Sequence, residues 1–164
     1  MRPKKLELPS WMDEWTAPPE IRKWFPFYLA GFDRQGSPVY VSEYGKWKFA
    51  EAMTAGAGKY GREKLKQLVL KYLEQGIYTA LRHGLANNSQ GIVVICDWNG
   101  FSVSNLLDST AVELCLTQMT MLKRINDVLN YAFLINRKLT FSVALPMNEG
   151  LGNVTILNRF FVEL

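Results

Sequence analysis

Residues 92–96, Ile-Val-Val-Ile-Cys, form an unbroken apolar run dominated by β-branched side chains, bounded by Gly91 and Asp97. Such a run has no polar positions to turn toward water, so a strand built from it must be covered on both faces. That requirement points to a sheet with helices packed on it. The neighbouring segments supply the other parts. Residues 28–32 and 38–42 are apolar runs flanking Asp33-Arg34-Gln35-Gly36, and a polar loop closed by Gly between two such runs reads as a β-hairpin. Pro38 opens the second strand, where a missing N–H costs least.

Residues 62–83 carry Leu65, Leu68, Val69, Tyr72, Leu73 and Ile77 at helical spacing, with His83-Gly84 as a stop. Residues 106–129 read as a second long helix, and residues 131–135 as a short strand ending at Asn136. The order hairpin, helix, strand, helix, strand predicts a mixed, largely parallel α/β sheet. Residues 1–24, broken by Pro9, Pro18 and Pro19, are expected to be a poorly ordered lead-in pinned by Trp11, Trp15 and Trp24. Residues 25–164 form the domain. Its tail is interrupted by Pro146, Gly150 and Gly152, after which residues 154–164 suit either a strand or a short helix.

The 164 residues suffice for one core, and 48% of them are hydrophobic, which excludes a disordered chain. A formal net charge of +4 is too mild and diffuse to indicate nucleic acid, but is compatible with attraction to an anionic membrane surface. Cys96 and Cys115 have no metal-ligand spacing and predict reduced thiols in a cytoplasmic protein. The N-terminal residues lack the apolar stretch of a signal peptide, and no run has the length of a membrane span.

Three motifs invite chemistry, and each has a plainer explanation. Gly56-Ala57-Gly58-Lys59-Tyr60-Gly61 spells a dinucleotide-binding glycine pattern, yet the residues before it read as helix rather than strand, so a flexible loop is expected. His83 is the single histidine; it lies near a helix end, where a cation suits the dipole, and no nucleophile elbow accompanies it. Asp97 follows a strand and is suited to hold the next turn through the N–H groups of Asn99 and Gly100. No catalytic residue, cofactor or metal site is expected. The basic stretch Lys59, Arg62, Lys64, Lys66 and Lys71 reads as a solvated helix face, with membrane docking as the functional alternative for it and for Arg137-Lys138.

Lys23, Phe25, Pro26, Gly31, Asp33, Gly36, Pro38, Val39 and Tyr40 match, in order, the opening of one known family, as do Asp97, Gly100 and Ser102 its central turn. Leu134-Ile135-Asn136 match the end of its later strand, and Phe141-Ser142 the pair beyond that strand. Over roughly residues 15–145 the chain resembles the CRAL-TRIO lipid-binding domain of phosphatidylinositol and tocopherol transfer proteins. The resemblance implies that the sheet floors an apolar pocket lined by Tyr40, Ile92, Val94, Cys96, Ala132, Leu134 and Phe141. It implies a non-catalytic role in lipid binding or transfer, with transient membrane contact. The alternative within the same fold is an interaction module for a small GTPase or a membrane-associated partner.

Departures from the family pattern refine this. Phosphoinositide-binding members place a Glu where only Asp127 stands here, and the family's gate helix, last strand and closing helices are expected to be lost or replaced by residues 143–164. Ile92 and Val94 are aliphatic where phosphatidylcholine-binding members carry hydroxyls. A phosphate buried against them would cost several kcal/mol, so a sterol-like, tocopherol-like or acyl ligand fits better (roughly 2–7 kcal/mol per unpartnered polar group).

Overall fold

A computed structural model of the chain describes residues 8–89, 91–102, 104, 107–124, 129–136 and 154–157. Its core element is a five-stranded sheet in the order β1 (Phe27–Phe32), β2 (Pro38–Ser42), β3 (Ile92–Asp97), β4 (Leu129–Ile135) and β5 (Val154–Leu157). The first pair is antiparallel and the remaining three pairs are parallel. The mixed, largely parallel α/β architecture read from the sequence is therefore observed. The Asp33 carboxylate closes the hairpin by accepting the Gln35 and Ser37 N–H groups, both at 2.8 Å. Part of the tail, open between strand and helix in the sequence, pairs with β4 as β5.

The helices are α1 (Trp11–Glu14), α2 (Pro19–Trp24), α3 (Phe49–Glu51), α4 (Ala57–Tyr60), α5 (Arg62–Ala86) and α6 (Ser109–Arg124). Several bounds differ from expectation. Residues 8–24 include two short helices, and Met12, Ala17, Ile21 and Trp24 of this segment are buried, so it packs on the domain rather than trailing from it. Pro19 sits in the first turn of α2, the one helical position where a missing N–H is harmless. The glycine-rich stretch is not a loop: α3 runs through a wide-turn segment, Ala52–Gly56, into α4. Helix α5 continues past the expected stop at His83-Gly84, because Gly84 packs against Pro38 and the Gly91 carbonyl, and the helix ends at Asn87 and Asn88. Helix α6 ends at Arg124, short of the expected 129, because Leu129 already pairs with Ile92 in the sheet.

The crossovers β2–α5–β3 and β3–α6–β4 step the same way across the sheet. Right-handed connections then place both helices on one face. The core agrees: Leu65, Val69, Tyr72 and Leu73 of α5 and Ala111 and Leu114 of α6 pack with Cys96 and Leu134 of the sheet. An aromatic cluster closes one end, with Tyr44 4.7 Å from Trp47 and 4.4 Å from Trp98 between ring centroids. Gly45 lies so close to the Trp98–Asn99 backbone that an added Cβ would fall 1.8 Å from the Asn99 carbonyl oxygen. No other residue fits there without moving the turn.

Candidate functional site

Side chains alternate across strands, so the strand registers define rows on each face. On the helix-covered face one row runs Leu29, Tyr40, Val94, Ala132 and the next runs Phe27, Ser42, Cys96, Leu134. Ile92 lies in the row beyond, beside Leu129. Six of the seven residues expected to line a pocket thus share one face. Phe141 lies outside the described residues, as do Asp127 and the Arg137-Lys138 pair.

That face packs as two apolar clusters. One gathers Cys96 and Leu134 with α2, α5 and α6; the other gathers Tyr40, Ile92, Leu129 and Ala132 with Ala80 and Leu81 of α5. Val94 and Phe27 touch both. Ile92, Cys96, Ala132 and Leu134 are buried, but Val94, on the central strand and under the helix layer, is only partly so. Leu29, Ile77 and Tyr78, which pack against the second cluster, are also partly buried.

Polar groups on this wall are few. Tyr40 Oη lies 2.9 Å from His83 Nδ1 on α5, and the two rings are within 20° of parallel. Burial raises the Tyr40 pKa, so it remains a phenol. Ser42 Oγ is buried and has no hydrogen-bond partner among the described residues. Burial pushes the Cys96 thiol up to about 12, which makes it an inert core residue rather than a nucleophile. His83 lies in the last turn of α5, near the helix end as its sequence position suggests, and it also faces a tyrosine 43 positions away, a pairing with no signal in sequence.

Asp97 holds its turn. Its Oδ1 accepts from the Asn99 N–H and from Asn136 Nδ2, both at 2.9 Å; Asn136, at the end of β4, takes the place expected for the Gly100 N–H. Asp97 stands on the opposite face of the sheet from Tyr40, so it shares no site with His83.

The basic stretch is tied to acids on other elements. Lys59 and the Tyr60 hydroxyl both bond Glu20 of α2, Arg62 meets Asp108 at 3.1 Å, and Lys66 meets Glu113 of α6. The hydrogen bonds from Lys59 and Tyr60 hold the Glu20 carboxyl at about 2, well below its ordinary value. Lys71 lies 4.7 Å from the Trp11 ring and 4.9 Å from the Trp15 ring, while Gln75 donates to the Met12 and Trp15 carbonyls. These contacts fasten the N-terminal segment to α5.

The other face of the sheet carries Tyr28 and Tyr131, each about half exposed (49% and 47%), with Val41, Ile95 and Phe133 partly buried beside them. Among the described residues no helix is long and apolar enough to cross a membrane.

Comparison with known proteins adds to this geometry. The profile of the CRAL/TRIO domain matches residues 22–161. No curated protein sequence matches the chain. Among solved structures, the crystal structure of Sfh5 superposes with a TM-score of 0.53 at 13% identity, covering 89% of this chain and 56% of that one. The chain thus spans little more than half the length of that protein, and the likeness is one of fold.

Proposed function

Because this chain belongs to the CRAL/TRIO domain family, we propose that it is a non-catalytic binder of an apolar lipid, held between the sheet and α5. Lipid binding in general is what membership in this family supports. The observation that carries the more specific reading is the partial exposure of Val94 on the helix-covered face, where it packs against both apolar clusters. The proposed wall comprises Tyr40, Ile92, Val94, Cys96, Ala132 and Leu134. Burial of apolar ligand surface contributes about 25 cal/mol per Å² before the entropy cost of binding. Ile92 and Val94 give a phosphate nothing to bond, so the ligand is less polar than a phospholipid headgroup. The protein acts in the cytoplasm and exchanges its ligand during brief contact with membranes.

A second reading, an interaction module of the same fold, draws on the apolar face that carries Tyr28 and Tyr131. Native mass spectrometry of protein purified from a eukaryotic extract separates the two. A compact charge-state series with a lipid-sized adduct is expected. A compact series without one favours the interaction module, and a broad, highly charged series means that the chain does not fold alone.

A further inference from the structure

The Tyr40–His83 contact fixes more than a distance. A phenol has one proton to donate and lone pairs that accept. Tyr40 is 9% exposed, and among the described residues His83 Nδ1 is the acceptor within reach of its proton. Were Nδ1 to carry a hydrogen instead, the buried Tyr40 proton would be left without a partner, at a cost of about 1–3 kcal/mol. With Nδ1 as the acceptor, His83 takes the Tyr40 proton. The phenolic oxygen is left with lone pairs only. Its neighbours in the same row, Leu29, Val94 and Ala132, offer no hydrogen-bonding side chain.

We propose that His83 is a positioning residue that sets ligand specificity: by engaging the Tyr40 proton it makes the phenolic oxygen a pure acceptor, so the site selects an apolar molecule bearing a hydroxyl donor. The inference rests on the lipid-binding reading above. An alcohol donates to Tyr40 and is retained. An ether, ester carbonyl or carboxylate presents lone pairs to lone pairs and is disfavoured.

The test uses the full chain and two fluorescent or tritiated alcohols, dehydroergosterol and hexadecanol, each against its own methyl ether, which keeps the apolar body and removes the donor. The unmodified protein is expected to bind each alcohol about tenfold more tightly than its ether, the worth of one hydrogen bond. Tyr40→Phe removes the acceptor, and the preference should fall to within about twofold. In His83→Phe the Tyr40 proton is free to donate to an ether oxygen, so the preference should fall through tighter binding of the ether. His83→Gln keeps an acceptor and should keep the preference, which guards against a folding defect in the Phe variant. Equal binding of alcohol and ether by the unmodified protein, or an intact preference in His83→Phe, overturns the role of His83 while leaving lipid binding standing. Failure of the unmodified protein to bind any of the four overturns the lipid-binding reading itself.

Discussion

Gly76 of α5 lies against the ring of Phe27 on β1 so closely that a Cβ at position 76 would fall 2.5 Å from the ring carbon Cζ. Phe27 in turn packs on Tyr72, one helical turn earlier, with ring centroids 4.9 Å apart. The contact sets the spacing between helix and sheet beside the proposed ligand seat. A glycine in mid-helix costs about 1 kcal/mol against alanine, and here that cost is offset by the approach it permits. Gly76→Ala is expected to destabilise the protein by about 1–2 kcal/mol net, since overpacking outweighs the propensity gain. Phe27→Leu should relieve part of the loss. Urea unfolding of the two single variants and the double variant measures the coupling.

Val94→Trp places a large ring in the proposed binding wall. Lipid uptake is expected to disappear from a variant that still folds, with overpacking costing about 1–3 kcal/mol. Normal uptake by a folded variant, measured by native mass spectrometry, would remove Val94 from the binding wall.

Two serines on β2 and the turn before it should respond oppositely to the same change. Ser37 Oγ accepts from Asn130 Nδ2 at 2.9 Å and lies 2.9 Å from Ser89 Oγ, joining the hairpin to the start of β4. Ser37→Ala strands those partners and should cost about 1–3 kcal/mol. Ser42→Ala removes a buried hydroxyl that bonds nothing among the described residues, and should leave stability unchanged or raise it by up to about 1 kcal/mol. Thermal melts of the ligand-free protein compare them directly.

Glu20 predicts a pH dependence. Its folded pKa, about 2, lies below the ordinary carboxylate value near 4.5, so its contribution to stability is present above pH 4.5 and is lost as pH falls toward 2. In Glu20→Gln the melting temperature should fall less steeply across that window than in the unmodified protein, and should be lower at neutral pH. Parallel slopes for the two proteins would show that the Lys59 and Tyr60 contacts do not stabilise the fold.

The parts of this molecule that depend on local pattern were legible in its sequence. The run from Ile92 to Cys96 announced the central strand β3, and the polar loop closed by Gly36 announced the hairpin; among the described residues α5 and α6 cover one face of that strand, so the expected cover of the second face is not seen. What escaped depends on distance along the chain. Gly84 reads as a helix stop until Pro38 and Gly91 are seen packed on it. The stretch from Gly56 to Gly61 reads as a loop until Gly56 is seen against the Trp24 and Leu65 side chains. The partners of Lys59, Lys66 and His83 stand 39, 47 and 43 positions away, so neither the ion pairs of Lys59 and Lys66 nor the Tyr40–His83 pair could be read from neighbours. Strand alternation did place six of the candidate wall residues on one face, since a period of two leaves no freedom once the register is fixed.

The strand order has a consequence for where any ligand can sit. Folds that bind nucleotides at the carboxyl ends of their strands use a crevice that opens where the order of strands doubles back and successive helices part to opposite faces. In this sheet the described strands run straight through from β1 to β5, with α5 and α6 side by side on one face. No such reversal parts them, and the glycine pattern at residues 56–61 lies within a helical run rather than at the tip of a strand. In the proposed lipid-binding reading the ligand therefore lies between the sheet and α5 rather than in a crevice at the strand ends.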